Sequence, residues 1–250
     1  MTVLVVGGVV DGDHGVGWWV GICFLAARVR IVMTLLVARR PSPSLASREG
    51  RHLVLGGTRL VMVEASPEHV DRMLSEGSLN CPECAGVLTR WGHARERVVR
   101  GLVGRLRPRR ARCRGCLRTH VLLPVSVLAR RADSTEVIGA ALVARARGRG
   151  YRPIAAMLGV AESTVRGWLR RFRQRSHGWW LRFTALLLAL DPDPAAVMPR
   201  SCVFADAVEV IGLAAAAGVR RFGPRPPWQF ASVVSGGLLL APAGVGVVIG

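Results

Sequence analysis

The sequence predicts an α+β fold that is mostly α, with a small antiparallel ribbon followed by a helical domain. Three observations predict it. Four cysteines fall in two pairs, Cys81-Pro-Glu-Cys84 and Cys113-Arg-Gly-Cys116, with 28 residues between them. Short β-like segments fill and follow that spacer: residues 87–91, 97–102, 107–112 and 119–123. Residues 154–172 (IAAMLGVAESTVRGWLRRF) then read as a short helix, a glycine turn and a longer helix carrying an arginine stripe.

Length and composition set the frame. A chain of 250 residues has room for one or two domains. Half of its residues are hydrophobic, which is enough for a packed core. That excludes a disordered polar tail, a collagen-like fibre and a small disulfide knot. The net charge is +19, carried by arginine alone, because no lysine occurs. Residues 1–89 and 183–250 are each neutral overall. The whole excess lies in residues 90–182, where acids almost vanish. Genomic GC bias explains arginine over lysine, but not this loss of acids. A one-sign field of this kind attracts nucleic acid or an anionic membrane surface.

The elements follow in order. Residues 1–56 read as a poorly defined extension. The apolar run 15–27 is too short to span a bilayer, and Arg28 and Arg30 interrupt its continuation to residue 37. Two readings stay open: a weak anchor, or an upstream start with Met33 or Met62 as the true one. The second is preferred, so a membrane partner is not expected. Residues 39–51 have linker composition. The apolar run 238–249 is too short and too rich in Pro and Gly for a transmembrane helix.

Residues 57–130 read as a strand-helix unit plus the ribbon. A strand is expected over 59–63. Ser66 caps a helix, Pro67 opens it, and Val70, Met73 and Leu74 face inward. Two residues between thiolates let both reach one ion from a tight turn, and two such turns complete a tetrahedral site. Cys81, Cys84, Cys113 and Cys116 are therefore the expected ligands of one structural Zn²⁺. Gly86 is expected to supply the left-handed turn of the first knuckle. Disulfides are disfavoured without a secretory signal, and a redox motif needs one pair only. His93 and His120 could each replace a cysteine, but with four present they are read as surface residues or neighbours of the ligands. Cys23 and Cys202 are read as core thiols. Arg105, Arg107, Arg109, Arg110 and Arg112 are the expected phosphate contacts.

Residues 131–182 read as a helix-turn-helix. Asp133 and Glu136 form a capping box for a first helix that ends at Gly148 and Gly150. Pro153 is expected at the first position of the second helix, with Ile154, Ala155 and Leu158 inside. Gly159 makes the turn and Val160 anchors it. A third helix is expected over 162–173. Val165, Trp168, Leu169 and Phe172 face the core, and Arg166, Arg170 and Arg173 lie opposite. Glu162, Ser163, Thr164, Arg166, Gly167, Arg170 and Arg173 are the expected DNA-facing residues, since the second helix of this motif enters the major groove. Ala161 stands where a capping serine is common, and Gly167 is a mid-helix glycine.

Residues 183–250 read as a C-terminal helical region that packs on the DNA-binding part or forms a dimer face. It includes a continuation of helix over 180–190 and a helix over 202–219 with Val203, Ala207, Val208 and Ile211 on one face and Asp206 and Glu209 off it. A last short helix is expected around Trp228 and Phe230.

The order of ribbon, linker and helix-turn-helix resembles the DNA-targeting end of insertion-sequence transposases and their accessory proteins. Cys81–Cys84, residues 107–116 (RPRRARCRGC) and residues 154–172 carry that likeness. Residues 60–240 also resemble a family of GC-rich actinobacterial proteins in which a domain of unassigned role accompanies a helix-turn-helix. The matching phrases are Trp91-Gly92-His93, residues 118–124, residues 159–168, and Arg220-Arg221-Phe222-Gly223 with Trp228. The resemblance implies zinc and DNA and no reaction.

The function expected is a zinc-containing, sequence-specific DNA-binding protein, cytoplasmic and nucleoid-associated. It serves a mobile element, with a separate transposase as partner, or transcription. A homodimer is open. An RNA-binding ribbon is the main alternative, weakened because only Trp91 near the ribbon offers an aromatic platform. An active transposase is the lesser one. It needs three acids around two metals, and after Glu162 only Asp191, Asp193, Asp206 and Glu209 occur. No enzyme activity is expected.

Overall fold

The structure is a computed structural model that describes residues 59–63, 66–191 and 202–242. The expectations for residues 1–56, including the apolar run, Cys23 and the alternative start Met33, lie outside these.

The described chain is a small sheet followed by helices. Strand β1 (Arg59–Val63) precedes helix α1 (Pro67–Glu76). Ser66 caps α1, its Oγ accepting from the His69 N–H at 3.4 Å, and Gly77 closes it at φ 68°. Val70 and Leu74 are buried and Met73 packs beside them.

Strands β2 (Leu88–His93), β5 (Arg109–Cys113) and β6 (Thr119–Pro124) form an antiparallel meander. β1 adds in parallel to β6, giving the order β1-β6-β5-β2. The register of β2 slips between Arg90 and Gly92, which leaves Trp91 outside the ladder and half-exposed. The strand expected over 97–102 is shorter. β3 (Arg97–Val98) pairs only with β4 (Arg105–Leu106), as a separate two-stranded ribbon. Pro108 lies between β4 and β5, and its missing N–H suits a break in the ladder.

The helices follow as α2 (Thr135–Ala146), α3 (Tyr151–Leu158), α4 (Glu162–Leu190), α5 (Val203–Phe222) and α6 (Pro227–Val234). Three sequence expectations need correction here. The cap of α2 is Ser134, whose side chain accepts from Val137 N–H at 3.3 Å, and not Asp133. Asp133 is buried instead and pairs with Arg100. Pro153 is the third residue of α3 rather than the first, still within the turn whose N–H groups have no helical partner. The third helix does not stop at Arg173. Val165, Trp168, Phe172, Ser176, Trp179, Phe183 and Leu187 keep one buried stripe at steps of three and four, so one helix of 29 residues runs through.

Two cores result. One lies between α1 and the sheet and takes in Cys81 and Cys113. The other joins α2 to α6 around Trp168, Phe172, Phe183, Ile211 and Trp228. α6 docks through two glycine notches. A Cβ on Gly139 of α2 would lie 2.1 Å from the Trp228 ring, and one on Gly218 of α5 would lie 2.7 Å from Phe230. Trp179 of α4 donates its indole N–H to Leu239 O at 3.1 Å, and Arg175 and Arg182 flank its ring. The C-terminal helices thus pack on the helix-turn-helix. On α5, Asp206 lies on the buried face and Val203 is exposed, the reverse of the expected sides.

Gly178 of α4 is exposed, and nothing lies within 4 Å of where its Cβ would be. Gly178→Ala should therefore raise stability by about 0.5–1 kcal/mol. Chemical denaturation should show a higher midpoint with an unchanged slope.

Candidate metal centre and nucleic-acid interface

Both CxxC pairs sit on tight turns at one end of the sheet. An antiparallel bridge between Asn80 and Val87 closes the first, and β5 leads directly into the second. The left-handed residues are Ala85 at φ 57° and Leu117 at φ 60°. Gly86 does not supply the turn. Its role is space: a Cβ there would lie 3.0 Å from Cys113 Sγ and 3.3 Å from Cys84 Sγ. Gly115 answers it from the other knuckle, 3.4 Å from Cys84 Sγ by the same measure.

The four Sγ atoms lie within 4.8 Å of one another. Cys81 and Cys116 are 3.7 Å apart and Cys84 and Cys113 are 3.3 Å apart. A tetrahedron with Zn–S bonds of about 2.3 Å has edges of about 3.8 Å. All four are free thiols. Backbone N–H groups of Glu83, Gly115 and Cys116 point at Cys81 and Cys113 sulfurs at 3.3–3.5 Å. Such donors stabilise thiolate over thiol. The backbone N–H of Gly86 and the neighbouring Cys113 thiol hold Cys84 down at about 6, while burial pushes the Cys81 thiol up. A bound cation would offset that burial cost. The four cysteines thus fit a closed structural site, and among the described residues no carboxylates gather into a metal-binding group.

Of the two histidines weighed as substitutes, His120 is fully buried with Nε2 3.4 Å from Cys81 Sγ. It is a neighbour of the ligands. His93 sits on β2 beside Arg109. Cys202 is exposed at the start of α5 and is no core thiol. Glu83 in the first knuckle pairs with Arg118 just past the second.

The arginines of the ribbon have different surroundings. Arg109 is tied to Asp71 of α1 and to His93. The Arg112 guanidinium stacks 4.5 Å over Trp91, and its Nε donates to Leu117 O. Arg110 is half-buried on the sheet, and Arg107 is exposed. Arg105 pairs with Glu96 at 3.4 Å and lines a cleft of about 750 Å³ with Arg95, Arg97 and Arg130.

In the helical part, Gly159 takes φ 60° and ends α3, while Val160 is buried beneath the turn. Ile154 and Ala155 are buried, and Leu158 packs against them. Ala161 caps α4 with no side-chain bond. Glu162, Ser163, Arg166, Arg170 and Arg173 form one exposed stripe, continued by Gln174 and His177. Thr164 and Gly167 flank it, half-buried. Glu162 pairs with Arg152 of α3 at 3.7 Å, which lowers the repulsion an acid would bring to a phosphate-facing surface.

Two features escaped the sequence reading. The Tyr151 ring carries the Arg166 guanidinium at 5.4 Å and that of Arg152 at 5.8 Å. Such stacking holds a long side chain in place. The one signal was that Tyr151 is the single tyrosine of the chain. Gly167 is covered by Arg171, whose Nη1 would lie 2.9 Å from an added Cβ.

The trihelical geometry has a match among known families. Residues 134–178 match the homeodomain-like domain. The homeodomain-like segment spans α2, α3 and the first half of α4, and so holds the whole exposed stripe. It supports a helix-turn-helix and DNA binding. No curated protein and no solved structure matches the chain. No described helix is long and apolar enough to cross a membrane.

Proposed function

We propose that this chain is a zinc-containing, sequence-specific DNA-binding protein that acts in the cytoplasm at the nucleoid. The observation that carries the reading is the exposed stripe Glu162–Ser163–Arg166–Arg170–Arg173 at the start of α4, behind a glycine turn and on a homeodomain-like segment. In this reading residues 57–130 form the four-cysteine ribbon domain, 131–182 the DNA-binding domain and 183–250 its C-terminal support. Four thiolates close the metal site, so the ion's role is to hold the ribbon.

Arg166 would read a guanine through O6 and N7, with Tyr151 orienting its guanidinium. Arg170, Arg173, Ser163 and Thr164 would contact phosphates or neighbouring base edges. On the ribbon, Arg105, Arg107, Arg110 and Arg112 would add phosphate contacts, and Arg109 would act through its tie to α1. Each contact makes binding fall with salt, by a slope of about 0.9 per phosphate.

The test is selection of bound fragments from sheared genomic DNA at physiological salt. Enrichment of inverted repeats beside a transposase gene would place the protein in transposition, with a separate transposase as partner. Enrichment of promoters would make it a regulator. Arg166→Ala should cost about 1–3 kcal/mol and relax the preference at one base position. Failure to enrich any sequence, or stronger binding to RNA in competition, would overturn the reading.

A further inference from the structure

A second basic site lies away from the exposed stripe. Arg130 and Arg131 sit just before α2, and Arg171 lies on α4. All three line one pocket of about 230 Å³, whose remaining wall includes Leu238 and Pro242. Arg130 is held at φ 58°, a left-handed backbone that a long side chain rarely adopts. That conformation persists only where the surroundings enforce it. Arg131 donates through Nη2 to Leu240 O at 3.0 Å, while its Nε is buried with no hydrogen-bond partner. The Arg171 side chain runs back over Gly167, where the missing Cβ leaves room for its guanidinium.

Three guanidinium groups around one small pocket repel one another. Burial, Arg171 and Arg130 all act to lower the Arg131 pKa, and only Asp133 opposes them. Asp133 is itself shared with Arg100, which pairs with it at 3.7 Å. An anion between the three would reverse the repulsion, and arginine forks match the oxygens of a phosphoryl group.

We propose that Arg130, Arg131 and Arg171 form a binding pocket for a phosphate group. The group comes either from a free phosphate or from the backbone of bound DNA. The pocket joins the approach to α2 with α4 and the segment after α6, so an occupied pocket clamps three parts of the helical core. The free-phosphate arm stands without the DNA-binding reading, and the backbone arm rests on it.

The experiment uses the full chain in two arms. In the first, melting temperature is followed against inorganic phosphate, with chloride at matched ionic strength as control. In the second, the salt slope and base preference of DNA binding are measured. Both arms use Arg130→Asn, since Asn tolerates the left-handed backbone, and Arg171→Gln, which keeps the helix. Circular dichroism confirms that each variant folds. A saturable rise in melting temperature, abolished in both variants, assigns the pocket to free phosphate. No rise, with the salt slope reduced by about one and base preference unchanged, assigns it to the DNA backbone. If phosphate gives no saturable rise and neither variant changes the slope, the proposal is overturned, whether or not the protein binds DNA.

Discussion

Removing the metal should melt the sheet and spare the helices. Cys113→Ser, or a strong zinc chelator, is expected to abolish zinc content and the fixed structure of residues 81–124. The α2–α6 core should keep its own cooperative transition. The physical ground is the separation of the two cores: Cys81 and Cys113 are buried within the α1–sheet cluster, and none of the four cysteines contributes to the helical one. Structural zinc sites supply about 10–16 kcal/mol of apparent binding free energy, more than a sheet of this size retains without it. Zinc quantification beside far-ultraviolet circular dichroism checks this. An unchanged zinc content in Cys113→Ser would refute the four-cysteine site, and loss of all helix would refute the independence of the two cores.

Filling the Gly139 notch should be the most damaging single change in the helical part. With the Trp228 ring 2.1 Å from the position of the added methyl, Gly139→Ala must push α6 off α2. Overpacking of this kind costs about 1–3 kcal/mol and sometimes more. Trp228→Ala should cost about 3–5 kcal/mol by leaving a cavity. Trp228→Leu in the Gly139→Ala background should recover part of the loss, because the smaller side chain makes room for the methyl. Denaturant midpoints for the two singles and the double close the cycle. Strict additivity would mean that the two residues do not share the notch.

Local chemistry was legible in the sequence where one spacing fixes one outcome. The CxxC pairs, the Ser66-Pro67 helix start, the Gly159 turn and the arginine stripe are such cases, and each of these elements has its counterpart in the structure. The misreadings arose where two neighbours compete for one role. Asp133 and Ser134 can both cap α2, and burial against Arg100 took Asp133 out of the contest. Gly86 was read as the left-handed residue because glycine adopts that backbone most easily. Ala85 takes it instead, since the contact with two sulfurs leaves no room for a side chain at Gly86.

Long-range packing was not legible. Nothing local to Gly139 or Gly218 announces the aromatic ring that fills each notch. Nor does the sequence near Arg171 show that Arg130 and Arg131 lie across from it. Arg175 and Arg182 belonged to the basic field on paper, yet they brace Trp179 and bond Leu238 O and Val234 O. Burial lowers the Arg182 pKa to about 10, which still leaves it charged at neutral pH.

The unbroken α4 makes the DNA-facing end and the packed end of the molecule one rigid beam. Its 29 residues span about 43 Å at 1.5 Å per residue. Its first three turns carry the stripe, and its remainder is gripped by α5 and the segment after α6. A tilt of about 5° imposed at the gripped end would swing the other end by about 4 Å, more than a base-edge hydrogen bond is long. The aim of Arg166 is therefore fixed at a distance, by how firmly Trp179, Phe183 and Leu187 are seated.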